Sequence, residues 1–216
     1  MIVAFFGLAA CRSDSGAPAG SPSPAPEVTT PAPSPTPTAA LLWPSPSNPL
    51  ELTVKAGLQP ERKEGLEYHV HAHLDVFIDG APVLVPAGIG IDIANPAVRQ
   101  GQDSGGSTYG GIEECDKPCI SPLHTHDVTG VLHTESLVRK PNRLGQFFTE
   151  WGVRLDDRCT GEHCKPEVSW AVYVDGQPYE GDNPADIRLT DLKEIAIVIG
   201  TPPPTIPSEF DFTGKA

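Results

Sequence analysis

Tyr68-His69-Val70-His71-Ala72-His73-Leu74-Asp75-Val76-Phe77-Ile78-Asp79-Gly80 is the stretch that decides the fold. Val70, Ala72, Leu74, Val76 and Ile78 share one parity, and His69, His71, His73, Asp75 and Phe77 share the other. A period of two becomes two faces only in a β-strand. One face belongs in a core, and the other lines up three imidazoles and a carboxylate. Asp79-Gly80 then supplies a tight reversal, because Asp-Gly tolerates the positive φ of a two-residue hairpin. Val83-Leu84-Val85 is expected to return beside the first strand. The same device recurs at Ala171-Val172-Tyr173-Val174-Asp175-Gly176.

Working outward, residues 50–54 alternate weakly and predict an edge strand, and residues 88–92 predict another short one. Residues 95–111 are rich in Gly and polar side chains and read as a long loop. Strands are expected over 131–138, 167–174 and 194–199. One helix stands out: Leu144, Phe147, Phe148 and Trp151 recur at helical spacing, with Asn142 placed to cap the start and Gly152 to end it. Many short strands with one short helix predict a mainly β, or α+β, domain. The expected architecture is antiparallel sheets or a small barrel with the helix packed on a sheet.

The second informative stretch is Leu123-His124-Thr125-His126-Asp127-Val128-Thr129-Gly130-Val131-Leu132-His133-Thr134-Glu135. Asp127 to Gly130 has turn composition, so the two flanks read as paired strands. If His126 faces Val131 across that turn, His124 faces His133, and parity puts His124, His126, His133 and Glu135 on one face. Directly opposed residues are about 4.5–5.5 Å apart at Cβ, close enough for several imidazoles to share one ion.

Six of the seven histidines fall in these two stretches. Neutral imidazole is the commonest protein ligand for transition metals, and this clustering argues against scattered surface residues. His124, His126 and His133 are the candidate metal ligands, with His71 and His73 able to supply a fourth from the opposing strand. A three-His site leaves a position open for exchange, whereas a fourth imidazole closes it. His69, at the strand end, and the carboxylates Asp75, Asp127 and Glu135 are candidates for orienting the ligands through their other nitrogen. His163 is expected to be simply exposed.

All-imidazole ligation suits Cu(II) or Zn(II), and the absence of any Met beyond Met1 removes the thioether ligands of a Cu(I) carrier. Three function classes follow: a protein that captures, buffers or delivers copper or zinc; a metalloenzyme whose open three-His site activates water or dioxygen; and a β-rich interaction module with histidines as a pH switch. No phosphate-binding loop or nucleotide fingerprint is present.

Composition divides the chain further. Residues 2–10 are apolar, too short to span a bilayer and of signal-peptide length. Residues 12–49 are almost entirely Pro, Ser, Ala, Thr and Gly, a composition that cannot bury enough surface to offset ordering and so predicts an extended tether. Residues 50–216 are left as a single globular domain. The first 49 residues carry only Arg12, Asp14 and Glu27, a net −1, so −12 of the formal −13 lies on the domain. Such a surface repels phosphate backbones and excludes nucleic acid as a natural partner.

Cys115, Cys119, Cys159 and Cys164 form an even set, expected to pair as two disulfides outside the cytoplasm, with all three connectivities open. A four-cysteine zinc site is the alternative.

Leu8-Ala9-Ala10-Cys11 resembles the lipobox of bacterial lipoproteins. That resemblance implies acylation of Cys11 after signal removal, and hence an extracytoplasmic domain attached to the bacterial cell membrane by a lipid anchor only. The His-x-His with a later His is loosely similar to the three-His sites of cupins and α-type carbonic anhydrases. The phrase Leu-His-Thr-His-Asp-x-Thr-Gly-x-Leu-His resembles uncharacterised secreted bacterial proteins. None of these resemblances implies an activity.

Overall fold

The computed structural model describes residues 42–214. Leu8-Ala9-Ala10-Cys11 and most of the Pro-rich segment lie outside them. The fold is mainly β. A short helix α1 (Pro49–Lys55) comes first. Strand β1 (Tyr68–Ile78) then occupies the residues that its alternation predicts. It reverses at Asp79 and Gly80, at φ 48° and 78°, into β2 (Ala81–Val83). A polar hairpin, β3 (Arg99–Asp103) and β4 (Gly106–Gly110), precedes β5 (Leu123–His124) and β6 (Val131–Ser136). Helix α2 (Leu144–Trp151) is followed by a small ribbon, β7 (Cys159–Thr160) with β8 (His163–Cys164). The last strands are β9 (Trp170–Val174), β10 (Gln177–Pro178) and β11 (Lys193–Ile199).

Seven of these strands make one open sheet in the order β10-β9-β11-β1-β6-β5, with β2 added to β1, and no barrel closes among the described residues. Strand β1 organises it. Its Tyr68–His73 half pairs antiparallel with β6 and its last residues with β2, while β11 runs parallel along the other edge from Ala72 to Ile78. The register sets Leu74 beside Ile195, Val76 beside Ile197 and Ile78 beside Ile199, so these apolar residues share one face. That face packs in the same core as Leu144, Phe147, Phe148 and Trp151 of α2, each at most 2% exposed. Each such side chain contributes roughly 1.5–3 kcal/mol, so the helix stripe and the sheet face fix each other. The helix stops at Gly152, φ 75°, a left-handed geometry that glycine adopts without strain.

Four local expectations are corrected. Residues 50–54 are helical rather than a strand: Pro49 opens the first turn, the Thr53 hydroxyl donates back to the Pro49 carbonyl at 3.1 Å, and α1 packs on α2. Tertiary packing outweighs a weak alternation. Residues 88–92 turn rather than extend, because Gly88 and Gly90 take φ 79° and 75°. Residues 95–111 hold the β3–β4 hairpin, whose polar strands leave no hydrophobic period to read. Asn142 does not cap α2. Its amide donates to the Pro122 carbonyl and the Thr134 hydroxyl, each at 3.3 Å, and the cap position falls to Arg143.

The four cysteines among the described residues pair with their sequence neighbours, Cys115 with Cys119 and Cys159 with Cys164, so they offer no thiolate cluster for zinc. Within the stretch read as tether from composition, Trp43 touches the domain. Its carbonyl accepts from Trp151 Nε1 at 2.9 Å, and the two indoles meet edge to face at 5.7 Å.

Candidate metal centre

Strand β6 lies between β1 and β5, with Leu132 in the α2 core and His133 and Glu135 on the alternate parity. Pairing sets His71 beside His133 and His133 beside His124, a row of three imidazoles across three strands. The His124–His133 pairing is the one that a turn over Asp127 to Gly130 implies. The next row holds His69 beside Glu135. His126 lies just beyond β5, where the β3–β4 hairpin docks: Tyr109 N donates to the His126 carbonyl at 2.8 Å, and His126 Nδ1 donates to the Tyr109 carbonyl at 2.6 Å.

These backbone contacts decide the chemistry of the rings. A carbonyl only accepts, so Nδ1 of His126 carries the proton; Nδ1 of His124 does the same toward the Ser121 carbonyl at 2.9 Å. Both Nε2 atoms are left as lone pairs, and they face each other at 3.2 Å. His69 Nε2 and His71 Nε2 also approach each other, to 3.1 Å. Two lone pairs at that distance repel unless a cation, a proton or a metal, lies between them. For bonds of about 2.0–2.1 Å to a tetrahedral ion, ligand nitrogens sit about 3.3 Å apart. The observed spacings fit that geometry.

Glu135 completes the cluster. Its Oε1 lies 3.3 Å from His69 Nε2, 3.3 Å from His133 Nδ1 and 3.9 Å from His126 Nε2. Burial would raise its pKa, but the nearby His126 and His133 and the surrounding imidazoles hold it well below the usual carboxylate range. The carboxylate is therefore ionised although only 5% exposed. Burial pushes His124 well below 6.5 and His133 down to about 4, so both rings are neutral and their lone pairs available. Burial and the neighbouring His69 also lower His71. His126 differs. Burial acts to lower it, yet the nearby Glu135 carboxylate, the Tyr109 carbonyl and the charge of Glu64 together raise it.

No family model, curated protein or solved structure matches this chain. Its site is defined by its own geometry. Two groups of four residues present ligand atoms within 4.8 Å of one another: His69, His71, His133 and Glu135, and His124, His126, His133 and Glu135. His124, His126, His133 and His71, read as candidate ligands from sequence, are thus brought together. His69 and Glu135, read as residues that orient ligands, stand among the possible ligands themselves.

His73 is separated from them, in a third such group with Asp75 and Glu194. Opposite it on β6 is Val131, not an imidazole, and in register on β11 is Glu194. Its Nδ1 lies 2.8 Å from Glu194 Oε2 and its Nε2 2.7 Å from the Thr129 carbonyl. Acceptors at both nitrogens are the environment of a protonated imidazole. Burial opposes that charge, but Glu194 and Asp75 outweigh it and raise the His73 pKa. Asp75 sits 3.8 Å away in this same group and is pushed up to about 6 by burial, so it serves His73 and not the main cluster. Phe210, from the C-terminal segment, stacks on the His73 ring at 3.9 Å.

Asp127 shapes the turn, accepting from Thr129 N at 2.9 Å and from the Thr129 hydroxyl, and it lines the cleft over the cluster. His163 is half-buried beside Trp43 rather than freely exposed, 6.4 Å between ring centres.

Sequence reasoning missed Glu64. It lines the same cleft, of about 560 Å³, with His69, His126, His133 and Glu135. Its Oε1 is buried without a hydrogen-bond partner, and burial together with the Glu135 charge raises its pKa. Nothing in the charged run Glu61-Arg62-Lys63-Glu64 distinguishes it from a solvated side chain.

Proposed function

We propose that this is a copper- or zinc-binding protein of an extracytoplasmic surface, held to the membrane by acylated Cys11 and serving to capture, buffer or deliver the ion. One observation carries the metal reading: the Nε2 lone pairs of His124 and His126 face each other at 3.2 Å while both Nδ1 protons are committed to backbone carbonyls. Imidazole and carboxylate donors suit Cu(II) or Zn(II). Both disulfides support an oxidising compartment. The acidic domain and the Leu8-Ala9-Ala10-Cys11 resemblance support a tethered cation binder.

The cleft over His126 and His133 favours one second reading, a metalloenzyme that activates water or dioxygen, with the Glu135 or Glu64 carboxylate as the nearby base.

The test is metal analysis of the full chain, purified without a histidine tag, stripped, reconstituted with Cu(II) or Zn(II) and desalted. At least one equivalent is expected to remain. A preparation that stays metal-free overturns both readings. Turnover of small esters, CO₂ or dioxygen by the loaded protein would favour the enzyme.

A further inference from the structure

We infer that the histidine cluster is built for two metal ions side by side, with Glu135 between them. The inference deepens the metal-binding reading and rests on it. A single ion would account for one close Nε2–Nε2 pair, but there are two such pairs: His69 with His71 at 3.1 Å, and His124 with His126 at 3.2 Å.

The pairs come from opposite sides of β6. His69 and His71 project from β1, whereas His124 and His126 come from β5 and the residues after it. Each pair closes with His133 and Glu135 into a group within 4.8 Å, and the two groups overlap at those residues without merging into one. Donors on a single ion at about 2.0–2.2 Å are at most about 4.4 Å apart. One ion therefore cannot collect all six side chains, and two ions leave no imidazole pair unused.

The shared residues have the required chemistry. Glu135 Oε1 touches both sides, His69 Nε2 at 3.3 Å and His126 Nε2 at 3.9 Å. A carboxylate offers two oxygens with about four lone-pair directions, enough to bridge two ions at the roughly 3.5–4 Å separation of two-metal sites. The His133 ring lies 4.5 Å from that of His71 and 4.4 Å from that of His126, so it stands between the pairs. Charge points the same way. Two divalent ions need more neutralisation than Glu135 gives, and Glu64 brings a second carboxylate to the cleft with a buried oxygen that lacks a partner.

The His73, Asp75 and Glu194 group takes no part. Its imidazole already has an acceptor at each nitrogen.

The experiment is a Cu(II) and Zn(II) titration of the stripped, tag-free full chain, with ion counting after desalting and paramagnetic resonance of the copper form. Two ions per chain are expected. At two equivalents the integrated Cu(II) signal should fall well below two spins per chain, because bridged ions couple. His69→Ala/His71→Ala and His124→Ala/His126→Ala should each retain one ion with a full, uncoupled signal. Glu135→Gln, close in shape to the native residue, should lose the coupling and at least one ion. A wild-type chain that saturates at one ion overturns the two-ion centre while the metal reading stands. So do two uncoupled coppers, which would place the second ion elsewhere. No bound ion at all overturns the proposed function with it.

Discussion

His71 and His73 lie two residues apart on one face of one strand, both nearly buried and each near a buried glutamate, yet they belong to different chemistries. His71 faces His69 and the ring of His133, in a cluster where His124 and His126 spend their Nδ1 protons on backbone carbonyls and leave their Nε2 lone pairs opposed. His73 has Glu194 on one nitrogen and the Thr129 carbonyl on the other, under the ring of Phe210. The first arrangement calls for a cation, while the second already contains one. What separates a metal ligand from a structural imidazolium is therefore the partner of its other nitrogen, and strand parity carries no information about that.

The sharpest way to break this comparison is His73→Ala. Removing one partner of a buried ion pair costs about 3–5 kcal/mol, so denaturant unfolding should show a large loss while the metal content of the folded protein stays at the wild-type count. His124→Ala/His126→Ala should do the reverse, lowering metal content with a smaller change in stability. Equal effects of the two variants on bound metal would remove the distinction.

Glu150 extends the contrast to a buried carboxyl with no imidazole beside it. It is 0% exposed on α2. Burial pushes it up to about 8 from the ordinary 4.5, with only partial relief from the Ser121 and Thr53 hydroxyls. A raised carboxyl pKa favours folding fully below the unfolded value, and that stability is lost as pH rises from about 4.5 to about 8. Glu150→Gln should thus exceed wild type by a few kcal/mol in chemical denaturation above pH 8. The gap should close near pH 4.

A smaller effect is expected at Gly110, where an added Cβ would lie 2.9 Å from His126 Nδ1. Gly110→Ala should displace the ring from the Tyr109 carbonyl and weaken metal affinity about 10–100-fold, the usual cost of disturbing a ligand's orienting partner. Unchanged affinity by competition with a chelator would show that this carbonyl does not set the ligand.

Cys115→Ser/Cys119→Ser should cost about 2 kcal/mol, as expected for opening so short a loop. The loop also holds the segment leading to Glu64, through Cys115 N to the Arg62 carbonyl at 2.7 Å and Cys119 N to the Glu61 carbonyl at 2.8 Å. Thermal unfolding of the oxidised pair of proteins measures it. The smallest effect belongs to His163→Ala, within about 1 kcal/mol and without change in bound metal, because the residue touches Trp43 and none of the cluster.

Much of this architecture is legible residue by residue. Strict alternation and an Asp-Gly turn fix β1 and its reversal, and the apolar stripe with Gly152 fixes the body and end of α2. The turn after His126 carries the register that sets His124 beside His133. Where the signal fails, a long-range partner has overruled a local preference. Asn142 is drawn into the sheet by Thr134 and Pro122, residues 50–54 coil because α2 offers them a surface, and the polar β3–β4 hairpin is held at His126.

By itself the sequence determined which residues share a face and which chemistry is abundant there, since both depend on period and residue type along one strand. It could not determine which strands far apart in the chain become neighbours. The parallel approach of β11 brings Glu194 to His73, and the antiparallel placement of β6 between β1 and β5 brings Glu135 among the other imidazoles. Those contacts join residues far apart in the chain, and only the packing of the whole sheet against its helix selects them. That selection gives one histidine a carboxylate to hold and leaves its neighbours with lone pairs for an ion.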